Sequence, residues 1–419
     1  APETLNRSFV HLFFGSLRAL APPIMLGYFK RAGERSEDAA DGDAARNNKR
    51  PRPKQAVSIG GDTPSASPGG RGEDKGRDPT TIVTWNANGL GVRLNKDWLE
   101  LKAFLVSVTP DVCCIQEVRY AAAGLPKCKK DDNRGRRRGQ LKTDTTADRK
   151  DKELLQSTLQ SLADRLGYRL VMSLANYKYA GTAALIRKTC PAARVFYSLS
   201  SEGLSKEHHP EGRVIALEYP SFTLVNFYVP NNGVTEDSFR RREEWDANVR
   251  AFVDGYDRPL IITGDLNVAH EDADLTHPSF FKRMCPAAKP MNSGQPGCTP
   301  AEKQRHTRLL DTGGGLIDAY RHLHPAPPQD GGSGGGTDTE GITWRGTAGT
   351  DVAEMGRFYG KGMRIDYFLL SKVLAPRVAR VKVFGSGKNR EGFVGSDHSP
   401  VMLNLALGGL GGPPSDNEG

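Results

Sequence analysis

Leu260–Thr263 is an apolar run with the length of a buried strand, and it leads straight into Gly264, Asp265 and Asn267. Two residues apart on an extended chain, Asp265 and Asn267 point the same way. They stand at the C-terminal edge of the run, where sheets flanked by helices build their sites. A carboxylate and a carboxamide facing together can take a proton from water and hold an oxyanion. Taken alone, the stretch also reads as an ordinary strand-to-turn Asp-Asn pair. Further strand-like runs are Thr81–Trp85, Asp111–Val118, Arg169–Leu174, Thr182–Arg187, Arg213–Tyr219, Phe222–Val229, Ile365–Leu370 and Val401–Leu407. Many are apolar on both faces, so their sheets need cover on both sides.

Helical patterns fall at Lys96–Val106, Lys152–Leu166, Asp237–Val253 and Pro300–Asp311. The last opens on Thr299-Pro300-Ala301-Glu302, a capping box with proline at the first helical position. Gly313 is placed to end that helix in a left-handed conformation. Strands and helices alternating in this way give an α/β layered domain, from about residue 80 to residue 407. Residues 1–79 read as a disordered N-terminal extension and residues 408–419 as a flexible tail.

The chain has 419 residues and a net charge of +9, which calls for an anionic partner. Twelve Lys and Arg against five Asp between Arg119 and Lys152 supply +7 of that excess. This basic loop, Tyr120–Asp151, looks inserted, as do Pro286–Gly297 and the Gly-rich Pro325–Gly341. None of the six cysteines forms a CxxC pair, which argues against structural zinc and a disulfide framework. No membrane span is expected: the most apolar early stretch, Phe9–Phe29, contains Arg18 and a Pro22-Pro23 break. Residues 1–33 have one acidic residue and the composition of a transit peptide, or of an accidental tail. Asn48–Lys54 reads as a nuclear localisation signal. The nucleus is therefore the expected compartment, with the mitochondrion as the alternative.

Acidic and amide residues recur where the apolar runs end: Asn86 and Asn88, Glu117, Asn231 with Tyr228 three before it, Asp265 and Asn267, Asp366, and Asp397 with His398. Each alone has a bland explanation. Together they offer oxygen ligands, amides, a phenol and one imidazole, with no thiolate. That set suits Mg²⁺ or Mn²⁺ rather than zinc. It also suits displacement at phosphorus, where a cation neutralises developing charge and a carboxylate activates water.

These segments resemble the exonuclease III family of apurinic/apyrimidinic (AP) endonucleases, nearer its eukaryotic branch. The resemblance rests on WNANGL (85–90), IQEVR (115–119), YAGTAALI (179–186), EGRVIALEY (211–219), LVNFYVPNNG (224–233), GDLNVAHEDADL (264–275), RIDYFLLS (364–371) and GSDHSPVMLNLAL (395–407). It implies a four-layered α/β sandwich of two packed sheets with outer helices. It implies that Glu117 is the principal metal ligand, with Asn86, Asn88 and Asp397 beside it and Asp265 and Asn267 at the edge of the same group. Asp265 would activate water, Asn267 would position it, and Asp366 would orient His398 toward the phosphate. Tyr228 and Asn231 would line the leaving-oxygen side. Trp344, Met363 and Ile365 would wall a pocket for an extruded abasic sugar. Tyr179 and Arg213 would meet DNA, and Arg134, Arg136, Arg137 and Arg138 of the basic loop are further candidates for phosphate contact.

The implied partner is duplex DNA with abasic sites or blocked 3′ ends, cut by a monomer working alongside base excision repair proteins. Asn88 stands where mammalian members have Asp, Val234 where they insert Arg, and Met363 where they have Trp. Trp344 takes the place of a mammalian Phe. Val83 replaces a redox-active Cys, so a transcription-factor redox role has no support. The competing readings are another phosphodiesterase or phosphatase of the same superfamily, and an inactive DNA-binding scaffold.

Overall fold

The structure is a computed structural model that describes residues 76–120, 153–175, 178–200, 203–325, 340–348 and 356–407. In chain order the strands are β1 Thr81–Asn86, β2 Val112–Gln116, β3 Tyr168–Ser173, β4 Thr182–Arg187, β5 Arg194–Phe196, β6 Ser198–Ser200, β7 Gly203–Ser205, β8 Val214–Glu218, β9 Thr223–Tyr228, β10 Leu260–Asp265, β11 Leu316–Asp318, β12 Trp344–Arg345, β13 Gly362–Met363, β14 Asp366–Ser371, β15 Val378–Val383 and β16 Val401–Leu405. Two six-stranded sheets carry the fold, ordered β15-β16-β1-β2-β4-β3 and β11-β14-β10-β9-β8-β5. Within them β1 runs parallel to β2 and β9 parallel to β10, and the other neighbours are antiparallel.

The period of two along each strand decides what lies between the sheets. Ile82, Val112, Cys114, Leu224, Ile261, Phe368 and Leu370 point inward and form one core. Their neighbours point outward: Val83, Trp85, Cys113 and Ile115 pack under the helices Leu90–Lys96 and Trp98–Val108. Val225, Phe227, Ile262 and Leu369 pack under the helix Glu236–Asp254. The result is helix, sheet, sheet, helix: the four-layered α/β sandwich that the resemblance implied.

Inward positions change character along the strands. On β1 the series is Ile82, Thr84, Asn86; on β2, Val112, Cys114, Gln116; on β9, Leu224, Asn226, Tyr228; on β10, Ile261, Thr263, Asp265. Halfway along, the fully buried Gln116 donates from Nε2 to Thr84 Oγ1 (2.9 Å) and Asn226 Oδ1 (2.7 Å). Asn226 Nδ2 donates in turn to the Ala183 carbonyl at 3.2 Å. Beyond this belt the same edge of both sheets carries Asn86, Glu117, Tyr228, Asp265 and Asp366.

Several boundaries differ from the sequence pattern. The expected Lys96–Val106 helix is Trp98–Val108, because a separate helix, Leu90–Lys96, ends at Asp97 first. Lys152–Leu166 is wound as a π turn over Leu155–Gln160 and becomes α-helical only at Ser161–Arg165. The short edge strands β5 and β11 carry too few residues for a pattern. The Arg and Lys of β15, with a bulge between Val378 and Arg380, disguise its period. At Thr299 the capping box forms: its hydroxyl accepts from Glu302 N–H (3.3 Å), and Glu302 Oε2 accepts from Thr299 N–H (3.2 Å). Gly313 follows that helix with φ of +61°. Among the described residues no helix is long and apolar enough to cross a membrane.

Candidate active site

The strand ends deliver their side chains to one place because β10 can approach β9 closely at Gly264. There φ is +125°, and a Cβ would sit 1.9 Å from the Phe227 carbonyl oxygen. Only glycine fits. Asp265 follows at once, buried, with Oδ1 accepting from Asn267 N–H (2.9 Å) and Oδ2 from Asn86 Nδ2 (2.8 Å). Asn267 itself is not on an extended chain. Its φ of +50° turns the backbone, and its Nδ2 donates to the Val229 carbonyl at 2.9 Å. The pair therefore faces together through a tight turn rather than through strand alternation. Asn231 Nδ2 donates to Asn267 Oδ1 at 3.2 Å, which joins it to the group.

Glu117 leaves the end of β2 with φ of +52°, and Asn88 leaves β1 with φ of +45°. For a glutamate this backbone costs about 1–2 kcal/mol. Flanking bonds hold it: Gly89 N–H donates to the Glu117 carbonyl (2.9 Å), and Val118 N–H to the Gly181 carbonyl (3.1 Å). Glu117 Oε1 accepts from the Tyr228 hydroxyl (2.7 Å) and from Asn86 Nδ2 (3.2 Å). Its Oε2 is buried and accepts no hydrogen bond beyond the Arg119 guanidinium with which it pairs. Asn88 Nδ2 donates to Asp397 Oδ1 at 2.7 Å, and Trp344 Nε1 donates to Asp397 Oδ2 at 3.1 Å.

His398 and Asp366 form a buried pair, Nδ1 to Oδ2 at 2.9 Å. Burial alone would depress the imidazole, but the Asp366 carboxylate outweighs it and lifts His398 to about 10, so the ring is charged at neutral pH. Burial raises Asp265 to about 7, opposed by the His398 charge and reinforced by Asp366 and Glu117. Burial, then the Glu117 charge, push the Tyr228 phenol well above its usual range, so it remains a donor.

Two groupings compete as a cation site. Oxygen and nitrogen atoms of Asp265, Asp366 and His398 lie within 4.8 Å of one another. A charged imidazole already bonded to Asp366 repels a cation, so this trio is a poor cage. The other grouping is Glu117, Asn86, Asn88 and Asp397, all hard oxygen donors and with one buried carboxylate oxygen unbonded apart from Arg119. Those residues fit a small divalent cation.

A pocket of about 350 Å³ is lined among others by Asn88, Glu117, Tyr228, Asn231, Asp397 and His398. Trp344, Met363 and Ile365 form part of its wall. Trp344 and Met363 pair across β12 and β13, and Met363 packs with Leu275, Phe281, Cys298 and Ile365. Two sets of expected residues are not at this pocket. Tyr179 is half-exposed and its hydroxyl accepts from Arg213 Nη2 (2.8 Å), while Arg213 is buried, 1% exposed, with its guanidinium spent inside the protein. An arginine reads as surface in a sequence, and nothing in EGR signals a buried partner set. Arg134, Arg136, Arg137 and Arg138 lie outside the described residues.

The sequence reading overlooked Arg119, Gln295, Pro296 and Gly297, which also line the pocket. Arg119 sits inside IQEVR, two residues from Glu117, and that spacing was the available signal. The other three belong to the loop read as an insertion. It is tied in by Ala269 N–H donating to the Gly297 carbonyl (2.6 Å) and Gly297 N–H to Glu302 Oε2 (2.9 Å).

Comparison with known proteins shows the family. The Endonuclease/Exonuclease/phosphatase family matches residues 83–398. A DNA-(apurinic or apyrimidinic site) endonuclease of Arabidopsis thaliana is 39% identical over 342 residues, covering 80% of this chain and 87% of the relative. The DNA repair nuclease APEX1 of Danio rerio is 30% identical over 388 residues, covering 90% and 99%. Among solved structures, an AP endonuclease from Archaeoglobus fulgidus superposes with a TM-score of 0.53 at 18% identity, over 78% of this chain and all of that one (100%), which bears on the fold alone. The chain belongs to the Endonuclease/Exonuclease/phosphatase family, alongside its AP endonucleases.

Proposed function

We propose that this protein is a Mg²⁺-dependent DNA repair nuclease that hydrolyses the phosphodiester 5′ to an abasic site in duplex DNA. We also assign it trimming of blocked 3′ ends and 3′→5′ exonuclease activity. One observation carries the reading: a buried carboxylate of raised pKa, Asp265, lies within 4.8 Å of His398, which lines a pocket whose wall includes the apolar Trp344, Met363 and Ile365. Relatives whose names state AP-site cleavage support the substrate class.

Asp265 accepts a proton from water, and a carboxyl near 7 is matched to that task at neutral pH. Asn267, fixed by Val229 and Asn231, orients the water or a phosphoryl oxygen. The oxygen attacks phosphorus and the bond from phosphorus to the 3′ oxygen breaks, leaving a 3′-hydroxyl and a 5′-phosphate on the abasic residue. His398, charged and oriented by Asp366, stabilises the phosphoryl oxygens. The Tyr228 phenol and Asn231 lie on the leaving-oxygen side. Glu117, Asn86, Asn88 and Asp397 would hold Mg²⁺, or Mn²⁺ in its place, and the cation when bound supplies neutralisation of developing phosphate charge. The basic loop around Arg134–Arg138 is assigned to phosphate contact, and the nucleus to its place of work.

The test is incision of a duplex oligonucleotide bearing one tetrahydrofuran lesion, with and without EDTA, beside phosphate release from inositol phosphates. Metal-dependent incision supports the proposal. Phosphate release without incision moves the chain to another phosphatase of the superfamily, and neither activity leaves the scaffold.

A further inference from the structure

Arg213 is a fully buried arginine that touches the site from behind, and each of its three guanidinium nitrogens donates a hydrogen bond. Nε donates to Glu211 Oε2 at 2.6 Å, Nη1 to the Tyr228 carbonyl at 3.0 Å and Nη2 to the Tyr179 hydroxyl at 2.8 Å. Its carbon centre stands 4.7 Å from the Tyr228 ring and 5.3 Å from the Tyr179 ring, so both rings also meet its charge through their faces. A three-way fork of this kind needs the planar guanidinium, and an ammonium cannot reproduce it.

Both tyrosines lead to Glu117 by different routes. Tyr228 reaches it directly, its hydroxyl donating to Oε1 at 2.7 Å. Tyr179 reaches it through the backbone. It precedes Ala180 and Gly181, whose carbonyls accept from Arg119 N–H (2.9 Å) and Val118 N–H (3.1 Å). Those two amides directly follow Glu117, whose backbone lies in the left-handed region at φ +52° and needs such support. Gly181 N–H donates to the Glu211 carbonyl at 3.2 Å, which closes the loop back to the partner of Arg213. Tyr179 meanwhile keeps 39% of its surface exposed, so its ring faces solvent while Arg213 and Tyr228 are buried.

We infer that Arg213 is a positioning residue, not a DNA contact: it couples the exposed ring of Tyr179 to the orientation of the Glu117 carboxylate. The inference rests on the proposed assignment of Glu117 as a metal ligand. Its physical content is that the carboxylate sits on a strained backbone and is aimed by the Tyr228 phenol together with Asn86 and Arg119, and the buried Arg213 guanidinium braces both the phenol and the backbone. Loss of the cation leaves the fold, since Glu211 is partly solvated and tolerates being unpaired, but lets Glu117 reorient. Partners that orient a metal ligand change metal affinity or activity by about 10–100-fold when removed.

The experiment compares the full chain with Arg213→Lys and Arg213→Gln, and adds Tyr179→Phe, which removes only the hydroxyl. Free Mn²⁺ is measured by electron paramagnetic resonance in the absence of DNA, and incision kinetics are measured on the tetrahydrofuran duplex, with melting temperature alongside. The expected result is Mn²⁺ affinity weakened by about 10-fold or more in both Arg213 variants, with kcat falling and KM nearly constant. Tyr179→Phe should move the same way by a smaller factor, and excess Mn²⁺ should restore part of kcat. Unchanged Mn²⁺ affinity in a folded Arg213→Lys protein overturns the inference. So does a rise in KM with a flatter salt dependence and constant kcat, which would make Arg213 a phosphate contact after all. If Arg213→Lys melts far below the wild type, Tyr179→Phe decides alone, and unchanged affinity there overturns the coupling. Failure of the proposed function is separate: the wild type would then not incise, while the Mn²⁺ comparison would still be readable.

Discussion

The space between the two sheets has two ends built from the same strands, and they obey opposite rules. At one end Ile82, Val112, Leu224, Ile261 and Leu370 close over one another with almost no exposure. At the other end the strands carry Asn86, Glu117, Tyr228, Asp265 and Asp366, largely hidden from water, Glu117 partly exposed, yet polar or ionisable. The apolar end gains stability from every methylene it buries. The polar end loses it, through desolvated carboxylates and through left-handed backbone at Asn88, Glu117 and Asn267. The belt of Thr84, Gln116 and Asn226 makes the two compatible, because it satisfies polar groups midway and lets a hydrophobic core end in a reactive surface. The lesson is that burial at the two ends serves different purposes: packing at one and pKa control at the other.

The largest expected effect breaks the polar end without touching the apolar one. Asp265→Asn should lower kcat by about 10²–10⁴-fold, the usual worth of a positioned general base, and the measurement is single-turnover incision at saturating DNA. Melting should not fall. The wild-type carboxyl is lifted from 3.8 to about 7 by burial, so the folded state holds its proton more tightly than the unfolded chain. The stability this lends is complete below about 4 and is lost as pH rises toward 7, so at pH 8 the charged carboxylate is a burden that the amide lacks. A melting temperature at pH 8 well below the wild type's would show that Asp265 is structural, and the contrast between the ends would collapse.

The mirror-image test is Leu224→Ala, a fully buried member of the apolar end on the strand that ends in Tyr228. It should cost about 2–5 kcal/mol of stability, read by denaturant unfolding, and leave kcat within a small factor at a temperature where the variant is folded. Lost turnover in a folded Leu224→Ala protein would mean that the belt transmits packing into the site.

Glu117→Ala sharpens the division within the polar end. Turnover should fall by about 10–100-fold, and excess Mg²⁺ or Mn²⁺ should recover part of it, whereas Asp265→Ala should gain nothing from metal. The same metal response in both variants would erase the distinction between ligand and base.

How much of this could be read from the sequence follows the same contrast. Strands buried on both faces announce themselves as apolar runs, so β1, β2, β4, β8, β9, β10, β14 and β16 were legible and only their ends moved. The edge strand β15 was not, because the Arg and Lys on its outer positions hide the period. The polar end was legible because carboxylates and amides at strand ends form short dense motifs. What joins them was not. The left-handed backbone of Glu117, the turn that aims Asn267 and the buried fork of Arg213 come from distant segments meeting, and spacing along a chain carries no trace of that. The Pro286–Gly297 loop shows the same limit: polar and short, it reads as an insertion, yet its end closes the pocket.

The finest test concerns the wall where the two kinds of burial meet. Met363 is 3% exposed, packed with Leu275, Phe281, Cys298 and Ile365, and yet it borders the reactive pocket beside Trp344. An unbranched thioether adapts to what is placed against it, and a rigid indole would not. An abasic sugar has no base to stack or pair and loses little on extrusion, whereas an intact nucleotide must give up both. Selection therefore rests on extrusion cost and on how firmly the wall resists a larger guest. A Cβ added at Gly297 would lie 3.6 Å from the Met363 sulfur, an ordinary contact distance, so Gly297 borders the thioether on one side while Trp344 pairs with it across β12 and β13, and both residues line the pocket that a bulkier side chain at 363 would press into. Met363→Trp should lower 3′→5′ exonuclease activity relative to abasic incision by roughly 10-fold, the scale on which ~1–3 kcal/mol of pocket fit discriminates. The ratio is measured on matched duplexes with the melting temperature beside it. A fall of both activities together with melting would place Met363 with the packing end. A ratio held at the wild-type value in a well-folded protein would leave extrusion cost alone to choose the lesion.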